Sequence, residues 1–118
     1  MALTFEPGDD LVFQMESGFG LMRVLASEGE GADAVWHILV YYDFYPDVES
    51  AEAALSGARP LGVREPHIAL TAHAFEKTPA ARLTNRPVED GELEPLRRWR
   101  REGGAAHDRS LLLMLGMR

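Results

Sequence analysis

The first forty-five residues contain three short runs in which apolar side chains alternate with polar or small ones. The runs are 11–15, 21–26 and 35–45, and turns rich in acidic residues and glycine separate them at 16–18 and 28–31. Alternation with a period of two predicts strands, and short turns between consecutive strands predict an antiparallel meander. Such a meander is a common opening of a small β-barrel.

The third run is apolar on both sides of the predicted strand. One face holds Trp36, Ile38, Val40, Tyr42 and Phe44, and the other holds Val35, His37, Leu39, Tyr41 and Tyr45. A strand of this kind lies at the centre of a sheet whose two sides are both covered, by a helix or by a partner. We therefore expect Trp36 in the core.

The segment after this run has the pattern of a helix that could provide the cover. Asp47 follows Pro46 as an N-cap, and Glu49 and Glu52 place negative charge near the predicted helix start. Val48, Ala51 and Leu55 form a narrow apolar stripe at helical spacing, and Gly57 ends the pattern as a C′ residue.

The rest of the chain is expected to complete the sheet. Alternation predicts strands at 67–76 and 81–88, Pro95 opens a second helix through Arg101, and the apolar run 110–115 is interpreted as a last buried strand. A chain of 118 residues with this pattern is interpreted as one mostly-β (α+β) domain, an SH3-like, partly open antiparallel barrel with two short helices.

Charge is unevenly distributed along the chain. Residues 1–56 hold eleven acidic residues and one basic residue, Arg23, whereas 57–118 hold eight acidic and eleven basic residues, so that −10 and +3 give the net −7. An acidic half repels phosphate backbones and attracts basic partners. The absence of cysteine excludes disulfides and thiol nucleophiles and fits a cytoplasmic location, and the sequence carries no signal-peptide pattern.

Patterns typical of catalysis, metals and cofactors are missing from the sequence. No serine lies in a G-x-S-x-G motif, and no histidines have the usual zinc-ligand spacing. His67 and His73 share a face of the predicted strand, but six residues of strand span about 20 Å, too far for one ion. A composite metal site that includes His37 and His107 is an alternative that no spacing in the sequence supports. We expect no metal, no cofactor and no membrane insertion, and catalysis is the less favoured interpretation.

Four arginines surround Trp99 between Arg97 and Arg101, a composition that could bind single-stranded nucleic acid. On a helix, however, Leu96 and Trp99 would face the core while the arginines point outwards, with Glu94 near enough to pair with them. The acidic balance of the whole chain disfavours nucleic acid. A solvated helix face, or an intramolecular clasp onto the acidic half, is the preferred interpretation.

The end of the third run is the best candidate for a binding surface. Tyrosine offers a large contact area with a polar tip, which suits protein interfaces. The alternative is that these rings belong to the core and to the rim of the barrel. The partner-binding candidates are Tyr41, Asp43, Tyr45, Asp47, Glu49 and Glu52, which would place aromatic rings within an acidic rim.

The opening of the chain also resembles a known family. Pro7-Gly8-Asp9 before an apolar strand, the stretch from Gly18 to Leu25, and the aromatic third strand are together similar to the immunity protein 26 family over roughly residues 1–45. The resemblance implies a non-catalytic bacterial protein that binds and neutralises a toxin, and a basic partner would suit the acidic patch. The alternative is a small-molecule-binding or enzymatic barrel with a pocket lined by His37, Tyr41 and His73.

Overall fold

A computed structural model describes residues 5–116 and contains one five-stranded antiparallel sheet. The strands are β1 (Asp9–Met15), β2 (Gly18–Glu28), β3 (Val35–Tyr41), β4 (Val63–Thr71) and β5 (Ala80–Asn85). Their order is β4-β3-β2-β1-β5, so the predicted meander forms the centre of the sheet. The expected mostly-β, partly open antiparallel arrangement is confirmed, and the sheet does not close.

Each face of the sheet supports its own apolar cluster, as the alternation predicts. The larger cluster includes Phe13, Val24, Trp36 and Ile38, and Trp36 stacks on Phe75 with ring centroids 4.7 Å apart. The smaller cluster on the other face holds Val12, Leu21, Leu25, Leu39, Tyr41 and Ala51. The core position expected for Trp36 is confirmed, with 7% of the residue exposed.

Helix α1 (Val48–Ser56) covers the second face, as expected from the sequence. Asp47 caps it by accepting a hydrogen bond from the Ser50 backbone N–H at 2.7 Å, and Ala51 is fully buried against the sheet. The helix ends at Ser56. Gly57 follows with φ −71° in extended backbone, so the expected C′ glycine conformation is not used.

The predicted strand 67–76 is wrong in its second half, because the chain turns into helix α2 (Ala72–Glu76). Thr71 ends β4 and caps this helix by accepting a hydrogen bond from the Ala74 N–H at 3.1 Å. The side chains of Ala72, Ala74 and Phe75 are buried. The alternation of small residues fits a strand, but a threonine cap before alanines favours a helix start.

The predicted last strand is also wrong: 111–114 form helix α4 (Leu111–Met114). Ser110 caps it by accepting from the Leu113 N–H at 3.3 Å, and Leu111 is buried while Leu113 is exposed. A short apolar run is compatible with a strand or a helix, and here the serine cap decides.

The other predicted helix is confirmed as α3 (Glu94–Arg101), and its Leu96 is buried. It follows a single 3-10 turn at Asp90–Leu93. Residues 5–116 therefore contain four α-helices, two more than expected. The predicted strand 81–88 is shorter than expected, because β5 ends at Asn85 before Pro87. No helix in the described range 5–116 has the length and apolar character needed to cross a membrane.

Candidate functional site

The segment after β3 loops out of the sheet and exposes two aromatic side chains. Met22 pairs with Val40, and Phe19 pairs next with Tyr45. Three steps along β2 (22 − 19) are thus matched by five steps along the partner (45 − 40), and the two extra residues bulge outwards. The bulge exposes 60% of Tyr42 and 45% of Phe44.

Tyr45 anchors the far end of this bulge. Its backbone exchanges two hydrogen bonds of 2.8 Å with Phe19, and its ring packs at the edge of the smaller cluster. Partial burial, with the nearby carboxylate of Asp43, raises the pKa of Tyr45. Tyr45 is therefore partly buried in the smaller cluster and partly exposed. It matches neither of the two alternatives, a fully exposed binding residue or a fully buried core residue.

The sequence placed Tyr41 in the binding surface, and the structure instead places it inside. Only 7% of the residue is exposed, and its hydroxyl donates to Asp10 at 3.1 Å while accepting from Arg86 at 3.0 Å. Burial and the neighbouring Asp10 carboxylate raise the pKa of Tyr41 to about 12. The predicted third strand runs to Tyr45, but β3 ends at Tyr41, and the exposed rings beyond its end are those of Tyr42 and Phe44.

Acidic side chains lie close to the exposed rings in the sequence. Asp43, Asp47, Glu49 and Glu52 are all exposed, and within the described residues no salt bridge joins any of them to a cation. The hydrogen bond from the Ser50 N–H lowers the pKa of Asp47 and keeps it ionised. We use the name acidic aromatic surface for Tyr42, Asp43, Phe44, Tyr45, Asp47, Glu49 and Glu52.

Some acidic residues outside this surface pair with arginines, whereas the exposed Glu6, Glu16, Glu30 and Asp33 make no salt bridge within the described residues. Glu28 contacts Arg100, Asp10 contacts Arg23 and Arg86, and Glu92 contacts Arg23. The buried carboxylates of the acidic half are therefore compensated, and the acidic aromatic surface is one of the places where its charge is left uncompensated. The guanidinium of Arg64 lies over the Tyr42 ring, 6.0 Å from the ring centroid.

A buried charge network that the sequence did not reveal fixes the strands behind the surface. Asp9 and Asp10 belong to β1 and are fully buried. Arg23 is 2% exposed and donates to Glu92 at 2.8 Å and to the Gly8 carbonyl at 2.9 Å. The sequence contained one signal of this network, because Arg23 is the only basic residue among the first fifty-six.

Two histidines that the sequence treated separately meet across β3 and β4. His37 Nδ1 lies 2.8 Å from His67 Nε2, and His37 Nε2 lies 2.7 Å from the Glu28 carboxylate. The Trp99 ring packs edge-on against both imidazoles, with centroids 5.0 and 5.6 Å away. Burial lowers the pKa of both histidines, that of His67 to about 4, so both rings are neutral at pH 7.

The pocket expected from His37, Tyr41 and His73 does not form. His73 is on α2 rather than on a strand, is largely exposed, and lies 3.4 Å from Asp108. Tyr41 lines a different cavity of about 450 Å³ beneath α1, together with Leu55 and Arg86. Within residues 5–116, no group of three or more histidine, cysteine, aspartate or glutamate side chains is arranged to hold a metal ion.

Helix α3 is clasped onto the acidic half, as one interpretation of the arginine cluster expected. Arg100 lies 2.5 Å from Glu28 across the molecule, and Trp99 is half-buried against the histidine pair. Arg101 pairs with Glu94 at 3.0 Å, and Arg97 pairs with Asp90. These contacts engage three of the four arginines within the protein.

The histidine pair makes the stability of the protein depend on pH. Because the pKa of His67 is about 4 in the folded protein against 6.5 as its ordinary value, the unfolded chain binds more protons between these values. Stability is therefore complete above pH 6.5 and falls as the pH drops towards 4. We expect His67 to account for a loss of up to about 3 kcal/mol, measured by urea unfolding at a series of pH values.

Replacing His67 with Gln should reduce this pH dependence, since glutamine does not titrate, and His37 would account for what remains. His73→Gln is the matched control, because it makes the same substitution at an exposed histidine. The acidic groups with lowered pKa values, Glu28, Glu92 and Asp108 among them, have ordinary values of about 4 to 4.5 and so affect stability only at the acid end of this window. Equal curves for the wild type and His67→Gln would contradict the expectation.

Comparison of the chain with protein-family models, with curated proteins and with solved structures gave no significant match. The residues themselves therefore carry the functional argument.

Proposed function

We propose that this protein is a non-catalytic binding module whose acidic aromatic surface docks onto a basic protein. The observation that carries the proposal is the bulge after β3, which holds Tyr42 and Phe44 in solvent beside four carboxylates without salt bridges in the described structure. Exposed aromatic rings within a charged rim are typical of protein interfaces.

The physical cost of this arrangement supports a binding role. Large apolar surface left in water gains nothing for folding, and four neighbouring carboxylates repel one another. A partner that covers the rings and places cations beside the carboxylates would remove both of these unfavourable contributions to the free energy. Ionised carboxylates would also speed the encounter with a basic partner by electrostatic steering.

The kind of partner follows from the charge and from the resemblance of the first forty-five residues to the immunity protein 26 family. A toxin domain that acts on nucleic acid carries a basic surface, and an acidic inhibitor would compete for that surface. We therefore propose an immunity-type inhibitor of a bacterial toxin as the specific function. An inhibitor that protects the cell producing the toxin would act in the cytoplasm.

A differential capture experiment tests the proposal. Wild-type protein and the double variant Tyr42→Ser with Phe44→Ser are immobilised side by side and exposed to extract of the native cells. We expect a basic protein to remain on the wild type and to be absent from the double variant. The retained protein should elute as salt rises to about 0.5 M, where charges are screened beyond a few ångströms.

The control is Leu113→Ser, which removes another exposed apolar side chain, on α4. It should retain the same protein as the wild type. A retained protein that is acidic, or that binds all three baits equally, would contradict the proposed surface. The product of a gene directly upstream is the first protein to look for among those retained.

A further inference from the structure

A second feature of the structure suggests how a partner is bound. An open apolar groove of about 310 Å³ lies on the α1 side of the sheet, beside the acidic aromatic surface. Its apolar lining residues are Val12, Phe19, Val48, Pro79, Ala80 and Ala81. Val48 is the first residue of α1, between Asp47 and Glu49 in the chain, so the groove begins where the acidic rim ends.

The other end of the groove is an edge of the sheet. In the described part of the chain β5 pairs with β1 only, which leaves its second edge without a partner strand. Such an edge presents backbone N–H and C=O groups that can pair with another extended chain. The opposite edge of the sheet is protected, because His107 exchanges backbone hydrogen bonds of 2.8 and 3.0 Å with Ala69 and Thr71 of β4.

From these observations we propose that an extended segment of the basic partner adds to the sheet as a strand beside β5 and places apolar side chains in the groove. The inference rests on the proposed function and specifies the binding mode of the same partner. Alternate residues of an added strand point to the same face as Ala81, which pairs with Val12 and lines the groove.

The charges on the two faces of β5 predict the pattern of the bound segment. Asp47 and Glu49 flank Val48, which lines the groove, and would attract lysine or arginine at the ends of the segment. Arg82 pairs with Leu11, whose side chain is in the larger cluster, so Arg82 belongs to the opposite face. Residues of the segment on that face should be neutral or acidic. The segment should therefore alternate cationic or apolar residues with polar or acidic ones.

A designed peptide with this pattern provides a test: acetyl-Lys-Thr-Val-Glu-Val-Thr-Lys-amide, which reads the same in both directions. The full-length ¹⁵N-labelled protein is titrated with the peptide and followed by amide chemical shifts. We expect saturable shifts at β5, at Phe19 and at Val48, and a Kd in the millimolar range or below. A peptide of the same composition in scrambled order should bind roughly tenfold more weakly, a difference of about 1.4 kcal/mol.

Two variants of the system separate backbone pairing from groove binding. Methylating alternate backbone nitrogens of the peptide removes its N–H donors and should weaken binding by roughly tenfold or more. Val48→Lys fills the groove mouth with a cation and should have a similar effect, whereas Leu113→Lys, an exposed apolar position on α4, should have none.

The outcomes distinguish this inference from the proposed function. Shifts confined to 42–52 and unaffected by Val48→Lys would overturn the groove and leave the acidic aromatic surface as the binding site. The absence of saturable shifts at β5 would overturn strand addition. If the peptide binds β5 as expected while Tyr42→Ser with Phe44→Ser captures the same proteins as the wild type, the acidic aromatic surface fails instead.

Discussion

Replacing Arg23 with Met is expected to lower the free energy of unfolding by about 3 to 5 kcal/mol, the cost of breaking a buried charge network from one side. Arg23 is 2% exposed, and its guanidinium contacts Glu92 at 2.8 Å and Asp10 at 3.5 Å. It also donates to the carbonyls of Gly8 and Arg86 at 2.9 and 3.0 Å. Methionine fills much of the same volume but leaves these acceptors without their donor.

Urea unfolding of the variant provides the measurement, and Arg101→Met provides the matched control. This substitution removes the same charge, but the Arg101 side chain is 61% exposed and lies 3.0 Å from Glu94, which is itself 49% exposed. An exposed pair of this kind contributes about 0 to 1 kcal/mol. A loss for Arg23→Met no larger than that for Arg101→Met would show that the network does not hold β1, β2 and the 86–92 segment together.

Replacing Trp36 with Ala should cost about 3 to 5 kcal/mol, as large truncations of core aromatic side chains do. The Trp36 ring belongs to the larger cluster and stacks on Phe75 at an interplanar angle of 18°. The cavity left by alanine would remove support from both β3 and α2. Thermal or urea unfolding measures the loss.

The control lies on the same segment of chain, after the bulge begins. Tyr42→Ala removes a ring that is 60% exposed and should change stability by no more than about 0.5 kcal/mol. If Tyr42→Ala unfolded the protein while Trp36→Ala left it stable, Trp36 would not lie in the core and Tyr42 would not be available as part of a binding surface.

The alternation of side chains was sufficient to predict the two faces of the central strands. Leu11 and Phe13 were separated from Val12, and Trp36 and Ile38 from Leu39, as they are in the two clusters. Alternation is informative there because both faces are buried, and a shift of one residue would exchange every side chain. Helix α1 was also predictable, because its N-cap and its apolar stripe both indicate a helix at the same place in the sequence.

The errors arose where local signals compete. Thr71 and Ser110 each start a helix by capping, yet the residues after them alternate or form an apolar run that also fits a strand. Helices α2 and α4 have five and four residues, too short for a helical period to show in the sequence. Their caps were the usable signal.

The sequence predicted Tyr41 as part of an exposed binding surface, but the residue is buried. The bulge depends on the pairing of Phe19 with Tyr45, a contact between residues 26 positions apart (45 − 19), which no local pattern records. Tyr41 was consequently exchanged with its neighbours Tyr42 and Phe44. Long-range pairing likewise brought His37 to His67 and Arg23 to Glu92, neither of which the sequence spacing suggested.

The affinity of the captured basic protein for the acidic aromatic surface tests the central claim most directly. Titration calorimetry between about 50 and 300 mM salt should show a Kd that rises steeply with salt, because screening shortens the reach of the rim carboxylates. The double variant Asp43→Asn with Glu49→Gln should reduce that slope while leaving the unfolding transition unchanged. A Kd that depends neither on salt nor on these two carboxylates would contradict the account.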